Sequence, residues 1–231
     1  MTVSNAYQLT PSLSELQLSD FLRKLAASDA TPGGGSASAL SGALAGALVT
    51  MVAGLSQARA SEETAEALEL LSEQGDQLME TLSGAIDRDA RAYDAVVAAM
   101  RLPRATEDEK AARAAAIQGA LKGAADVPLE VAEESLATAE MALLALEKGV
   151  PHAASDAGVA MALALAGVEG AILNVAINLD GLSDAGVVAP MKQELARIEA
   201  RANELRRQAR ALLEARIASL PRSEENTGPR P

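Results

Sequence analysis

The 231-residue sequence contains no cysteine and no tryptophan, a single histidine, and only 1% aromatic residues. Without thiols there is neither a disulfide framework nor a thiolate metal site. With His152 as the sole imidazole, a zinc or iron centre built on histidine is not expected. Basic residues are scarce as well: 20 Lys and Arg against 32 Asp and Glu leave a net charge of -12. That balance speaks against a nucleic-acid partner, because phosphate binding needs a clustered basic surface. The N-terminus has no basic, apolar, small-residue export pattern, so a cytoplasmic location is expected. A core without aromatics must be built from Ala, Leu, Val, Ile and Met, whose small members let helices pack closely.

No segment shows the alternation of a β-strand, and helical spacing runs through most of the chain. The expectation is an all-α, up-and-down bundle of long helices over residues 14–219, with a flexible N-terminus at 1–13 and a disordered tail at 220–231. Leu18 to Ala27 reads as a short amphipathic helix with Phe21, Leu22 and Leu25 on one face. Ser61, followed by Glu62 and Glu63, opens a helix that runs to about Met100 and is stopped by Pro103. Leu68, Leu71, Leu78, Leu82, Ile86, Tyr93 and Val96 mark its apolar stripe. Thr106 and Glu109 form a capping box for the next helix. Pro128 is expected to break that helix near Asp126, with a second half from Leu129 to Lys148. An apolar helix follows over about Ala157 to Leu179, and Ser183 is expected to cap a solvated helix from Asp184 to about Ser219.

Ala37 to Leu55 carries no charge and is long enough to cross a bilayer. Most of it is Ala, Gly, Ser and Thr, which favour insertion little. Gly42 and Gly46 give it a small-residue face, so a buried central helix is expected and no membrane association. Two such apolar helices are more than a monomer core readily hides, which points to a homodimer.

Thr31-Pro32-Gly33-Gly34-Gly35-Ser36 precedes that helix. Glycines here can take φ > 0 and bring backbone N–H groups to a ligand at the positive helix end, a site for an anion or polarised carbonyl. The alternative is a tight turn with Ser36 as N-cap. No Gly-Lys-Ser/Thr follows, which excludes a nucleotide-hydrolase phosphate loop. Other polar residues fall on apolar faces. Asn174 and Asn178 are four apart, as are Asp89 and Tyr93. Ser155 and Asp156 stand at the start of the second apolar helix, as caps or as charge at its positive end. His152 lies in a proline-containing loop beside them.

These pieces resemble, in order, the cyclodeaminase/cyclohydrolase family of folate enzymes over about residues 18 to 215. The resemblance is carried by Phe21-Leu22-x-x-Leu25-Ala26, the Thr31 to Ala39 run, Asp89-x-x-Ala92-Tyr93, Leu102-Pro103-Arg104, Ala125-x-Val127-Pro128-Leu129, the Ser155 to Ala160 run and Asn174-Val175-x-Ile177-Asn178. It implies a helical homodimer with a tetrahydrofolate site, and no metal or redox cofactor beyond the folate carrier itself. The first reading is a formiminotetrahydrofolate cyclodeaminase in its stand-alone form; the alternative is a methenyltetrahydrofolate cyclohydrolase. A non-catalytic folate-binding or scaffold protein is a further alternative. Carried onto this sequence, the acid/base group is Asp156, then Asp89, then His152. Pro32, Gly33, Gly34, Gly35 and Ser36 clamp the substrate, with Tyr93 and Ser155 beside them, and Asn174 and Asn178 hold the pterin amides. One departure stands out: Val150 and His152 occupy positions where the family often has Asn.

Overall fold

The computed structural model describes residues 12–218, and every regular element in them is a helix. Residues 1–11 and 219–231 lie outside the described residues, and with them most of the expected flexible N-terminus and the whole expected tail. Six α-helices follow one another: α1 (Leu18–Leu25), α2 (Gly34–Gln57), α3 (Glu62–Met100), α4 (Glu107–Lys148), α5 (Ala154–Asp180) and α6 (Ala185–Ala218). Helices α2 and α4 each pack against both α3 and α5, and α6 lies along α4 and α5. The core is mostly Ala, Leu and Val, as an aromatic-poor composition requires, with Phe21 of α1 the one buried aromatic among the described residues. Leu22 faces solvent instead of sharing that face, because the short helix turns only one side inward.

Small residues set the helix separations. An added Cβ on Gly42 would meet the Ser135 hydroxyl of α4 at 2.6 Å and Leu82 of α3 at 2.9 Å. On Gly46 it would stand 3.0 Å from the Gly75 carbonyl oxygen and the Met79 backbone nitrogen. A Cβ on Gly167 of α5 would meet the same Ser135 hydroxyl at 2.7 Å. Three helices therefore converge on α2 through residues that have no side chain.

Helix ends follow the sequence in part. Ser61 occupies the N-cap of α3, though its hydroxyl donates to Thr64 Oγ1 and accepts no backbone N–H. The Thr106–Glu109 capping box forms in both directions. Helix α2 begins at Gly34 with extended Gly33 as N-cap, so Ser36 sits inside its first turn and is not the cap. Helix α5 begins at Ala154 after a 3-10 turn, Pro151–Ala153, which places Ser155 and Asp156 in the first turn and not at the cap. Asp184 caps α6, accepting the Gly186 N–H at 2.8 Å, while Ser183 is taken up by Gln118. At the other end, Ser12 and Leu13 are held: the Asp87 carboxylate accepts the Leu13 N–H at 2.6 Å and the Ser12 hydroxyl at 2.6 Å.

The expected break at Pro128 does not occur; α4 runs unbroken from Glu107 to Lys148 with Pro128 fully buried inside it. A proline withholds the N–H that would reach the carbonyl four residues earlier, here Ala124. That carbonyl is satisfied from outside the helix, since Asn178 Nδ2 of α5 donates to it at 2.7 Å. One side-chain amide removes the reason for a break.

Two glycine substitutions test the packing. Gly46→Ala should lower stability by about 1–3 kcal/mol, because the crowding atoms are backbone and cannot rotate away. Gly54→Ala, where no atom lies within 4 Å, should raise stability by about 0.5–1 kcal/mol through helix propensity alone. Denaturant unfolding of both variants measures the difference; equal effects would contradict this packing.

Candidate functional site

The loop before α2, the middle of α3 and the C-terminal half of α5 close around a cavity of about 280 Å³. Its wall includes Thr31, Gly33, Gly34, Gly35, Asp89, Tyr93, Asn174 and Asn178. The glycines are not in unusual conformations, since among the described residues none has positive φ. Their contribution is room. A Cβ on Gly35 would fall 2.0 Å from Asp89 Oδ1, and one on Gly34 would fall 3.3 Å from Asn174 Nδ2.

Asp89 thus rests directly against the first turn of α2. Ser36 Oγ donates toward Asp89 Oδ2 at 2.9 Å and also lies 3.1 Å from the Ile86 carbonyl oxygen. Burial pushes the Asp89 carboxyl above its ordinary 3.8, and the hydroxyl and backbone N–H bonds from Ser36 offset only part of that. A carboxyl whose pKa is pushed upward by burial, beside open volume, is a candidate proton-transfer group. Its neighbour Asp87 shows the opposite outcome. Partial burial pushes that carboxyl up, but hydrogen bonds from Ser12, Leu13 and Ser14 together carry it below the usual range.

The two asparagines approach from α5. Asn174 Nδ2 donates to the Gly170 carbonyl at 2.8 Å. Asn178 Nδ2 donates to the Ala124 carbonyl at 2.7 Å and to the Asn174 carbonyl at 3.0 Å. Tyr93 is 45% exposed and stands at the cavity wall, where the sequence spacing also counts it as part of a core stripe. Ser36 lies behind Asp89 and Pro32 is buried in the loop, so both support the wall without lining it.

The remaining expected site residues are elsewhere. Asp156 lies eighteen residues before Asn174 on the same straight helix, about 27 Å along its axis at about 1.5 Å per residue. Within one chain it does not meet the cavity. Ser155 and His152 are exposed at that same far end. The departure at Val150 and His152 likewise leaves the cavity untouched; the Val150 N–H is bound by Ser56 Oγ at 2.9 Å. Sequence reasoning missed Ala30, Ala92, Val96, Ala124 and Ile177 of the wall. Ala92, Val96 and Ile177 each lie three residues after Asp89, Tyr93 or Asn174 on the same helical face, which is a signal; Ala30 and Ala124 are small apolar residues indistinguishable from core.

Similarity to known proteins falls on the elements that build this cavity. The chain is 44% identical over 186 residues to methenyltetrahydrofolate cyclohydrolase of Methylorubrum extorquens, a match covering 80% of this chain and 89% of that protein. It is 36% identical over 189 residues to the formimidoyltransferase-cyclodeaminase of Sus scrofa, covering 80% of this chain but only 34% of that longer protein. The crystal structure of formiminotetrahydrofolate cyclodeaminase from Thermotoga maritima superposes with a TM-score of 0.79 at 29% identity, covering 89% of this chain and 99% of that one. The sequence model for formiminotransferase-cyclodeaminase matches residues 17–197, and the chain belongs to this family of folate one-carbon enzymes.

Proposed function

We propose that this chain hydrolyses 5,10-methenyltetrahydrofolate to 10-formyltetrahydrofolate, with Asp89 as the acid/base group. The observation that carries the choice of reaction is the 44% identity, across 89% of its length, to a protein named for that activity. Cyclodeamination of formiminotetrahydrofolate, the first reading of the sequence, is the second reading here, favoured by the Thermotoga maritima structure. Both reactions need one positioned proton carrier beside the carbon bridging N5 and N10, and a single raised-pKa carboxyl on the cavity wall supports either.

In the hydrolytic direction the Asp89 carboxylate takes a proton from water as the oxygen bonds to the cationic methenyl carbon. The carbinol then collapses: the bond from carbon to N5 breaks, N5 receives the proton from Asp89, and the carbinol proton leaves as the formyl C=O forms. Overall one water is consumed and one proton released. The open donor and acceptor positions of Asn174 and the Asn178 Oδ1 would hold the pterin, which keeps the reacting carbon near Asp89.

Absorbance in the methenyltetrahydrofolate band measures both activities. Enzyme-dependent loss of the band above the spontaneous rate is the expected result; its growth from formiminotetrahydrofolate with ammonia release would establish the second reading. Asp89→Asn should cut kcat by at least about 100-fold with the fold intact, because only the proton carrier is lost. Asp156→Asn in the same assay tests the far end of α5, and a comparable loss there would move the acid/base role away from Asp89.

We also propose a homodimer. Helix α2 and the segment Pro151–Asp180 are each long and apolar enough to cross a bilayer, with 50% and 44% of their most apolar windows buried in the bundle. Leu44, Met51 and Leu55 on α2 and Val159, Leu173 and Ile177 on α5 are exposed, leaving apolar surface, bordered on α5 by the Glu169–Arg206 ion pair, for a second copy to cover. Light scattering should give twice the chain mass in detergent-free buffer, and Leu44→Glu with Leu173→Glu should give the monomer mass. A monomer at the outset would refute the dimer; recovery only with detergent would favour a membrane.

A further inference from the structure

Pro128 of α4 does not line this cavity, yet it bears on what one wall residue can do. As a proline it offers no N–H to the carbonyl of Ala124, a residue of the cavity wall. Asn178 Nδ2 fills that vacancy at 2.7 Å and places its second proton on the Asn174 carbonyl at 3.0 Å. Both amide protons are then committed, and no described residue donates to Asn178 Oδ1. An amide so tied can offer the cavity only an acceptor.

We propose that Pro128 is a positioning residue: by withholding its N–H it fixes the Asn178 amide with the oxygen free, so that this wall selects a ring N–H donor on the substrate. An ordinary residue at 128 would donate to Ala124 itself and weaken the hold on Asn178, whose amide could then turn and present nitrogen. A ligand rich in N–H donors along one edge, such as the aminopyrimidinone edge of a reduced pterin, fits the free oxygen. The inference rests on the folate reading for the identity of the ligand, but not for the state of the amide.

Pro128→Ala tests it, because alanine is the better helix former and any merely structural role of the proline predicts little change or a gain in Tm. The expected result is a KM for methenyltetrahydrofolate raised about tenfold, as for the loss of one hydrogen bond, with kcat within about twofold and Tm not lowered. The Asn178 side-chain amide protons, followed by ¹⁵N NMR without any ligand, should shift and exchange faster. Asn178→Ala should raise KM as much, and the double variant should add nothing further. Unmoved Asn178 resonances with unchanged KM in Pro128→Ala would overturn the proposal. If Asn178→Ala leaves KM unchanged while the resonances do move in Pro128→Ala, the amide is positioned as stated and the folate contact is what fails.

Discussion

The approach of Asp89 to the first turn of α2 is the constraint on which the rest of the site depends. Gly35 admits the carboxylate where any side chain would exclude it, with 2.0 Å left for a Cβ. From that contact follow the partial burial that raises the Asp89 pKa and the Ser36 bonds that hold the group in place. The packing of α2 against α3 extends the same principle along the helix, through Gly42 beside Leu82 and Gly46 beside the Gly75 backbone. Helix spacing and proton chemistry are thus set by one run of small residues.

The second half of the site depends on an exchange between α4 and α5. A buried proline inside a 42-residue helix removes one internal bond, and Asn178 supplies a replacement that also anchors the amide at the cavity. Fold and site share these atoms. A helix defect outside the cavity lining thereby reaches the cavity wall through one side chain.

Much of this was legible in the sequence. Periodicity placed α3 from Ser61 to Met100, and Thr106 with Glu109 marked the start of α4, because caps and apolar stripes are local signals. The glycine loop, Asp89, Tyr93 and the two asparagines were each singled out, and the structure gathers them around one cavity. What was hidden is the register between helices. Nothing local says that residue 35 meets residue 89, so the glycines suggest conformational freedom when their use is space. In the sequence Pro128 predicts a break because its rescuer lies 50 residues later. Asp156 is different: once it and Asn174 are placed on one helix, the helical rise alone separates them, and that arithmetic was available from the spacing.

The account stands most directly on the titration of one carboxyl. Carbon-13 NMR of the Asp89 side chain against pH should show a midpoint above the ordinary 3.8, because burial disfavours the charged form more than Ser36 stabilises it. The neutral acid then persists to higher pH than an exposed aspartate, and the carboxylate forms only as pH rises through the elevated midpoint. In Gly35→Ala the added methyl should drive the carboxyl out of the turn and return its midpoint toward 3.8. A wild-type midpoint at or below 3.8 would contradict the claim that this contact prepares Asp89 for proton transfer.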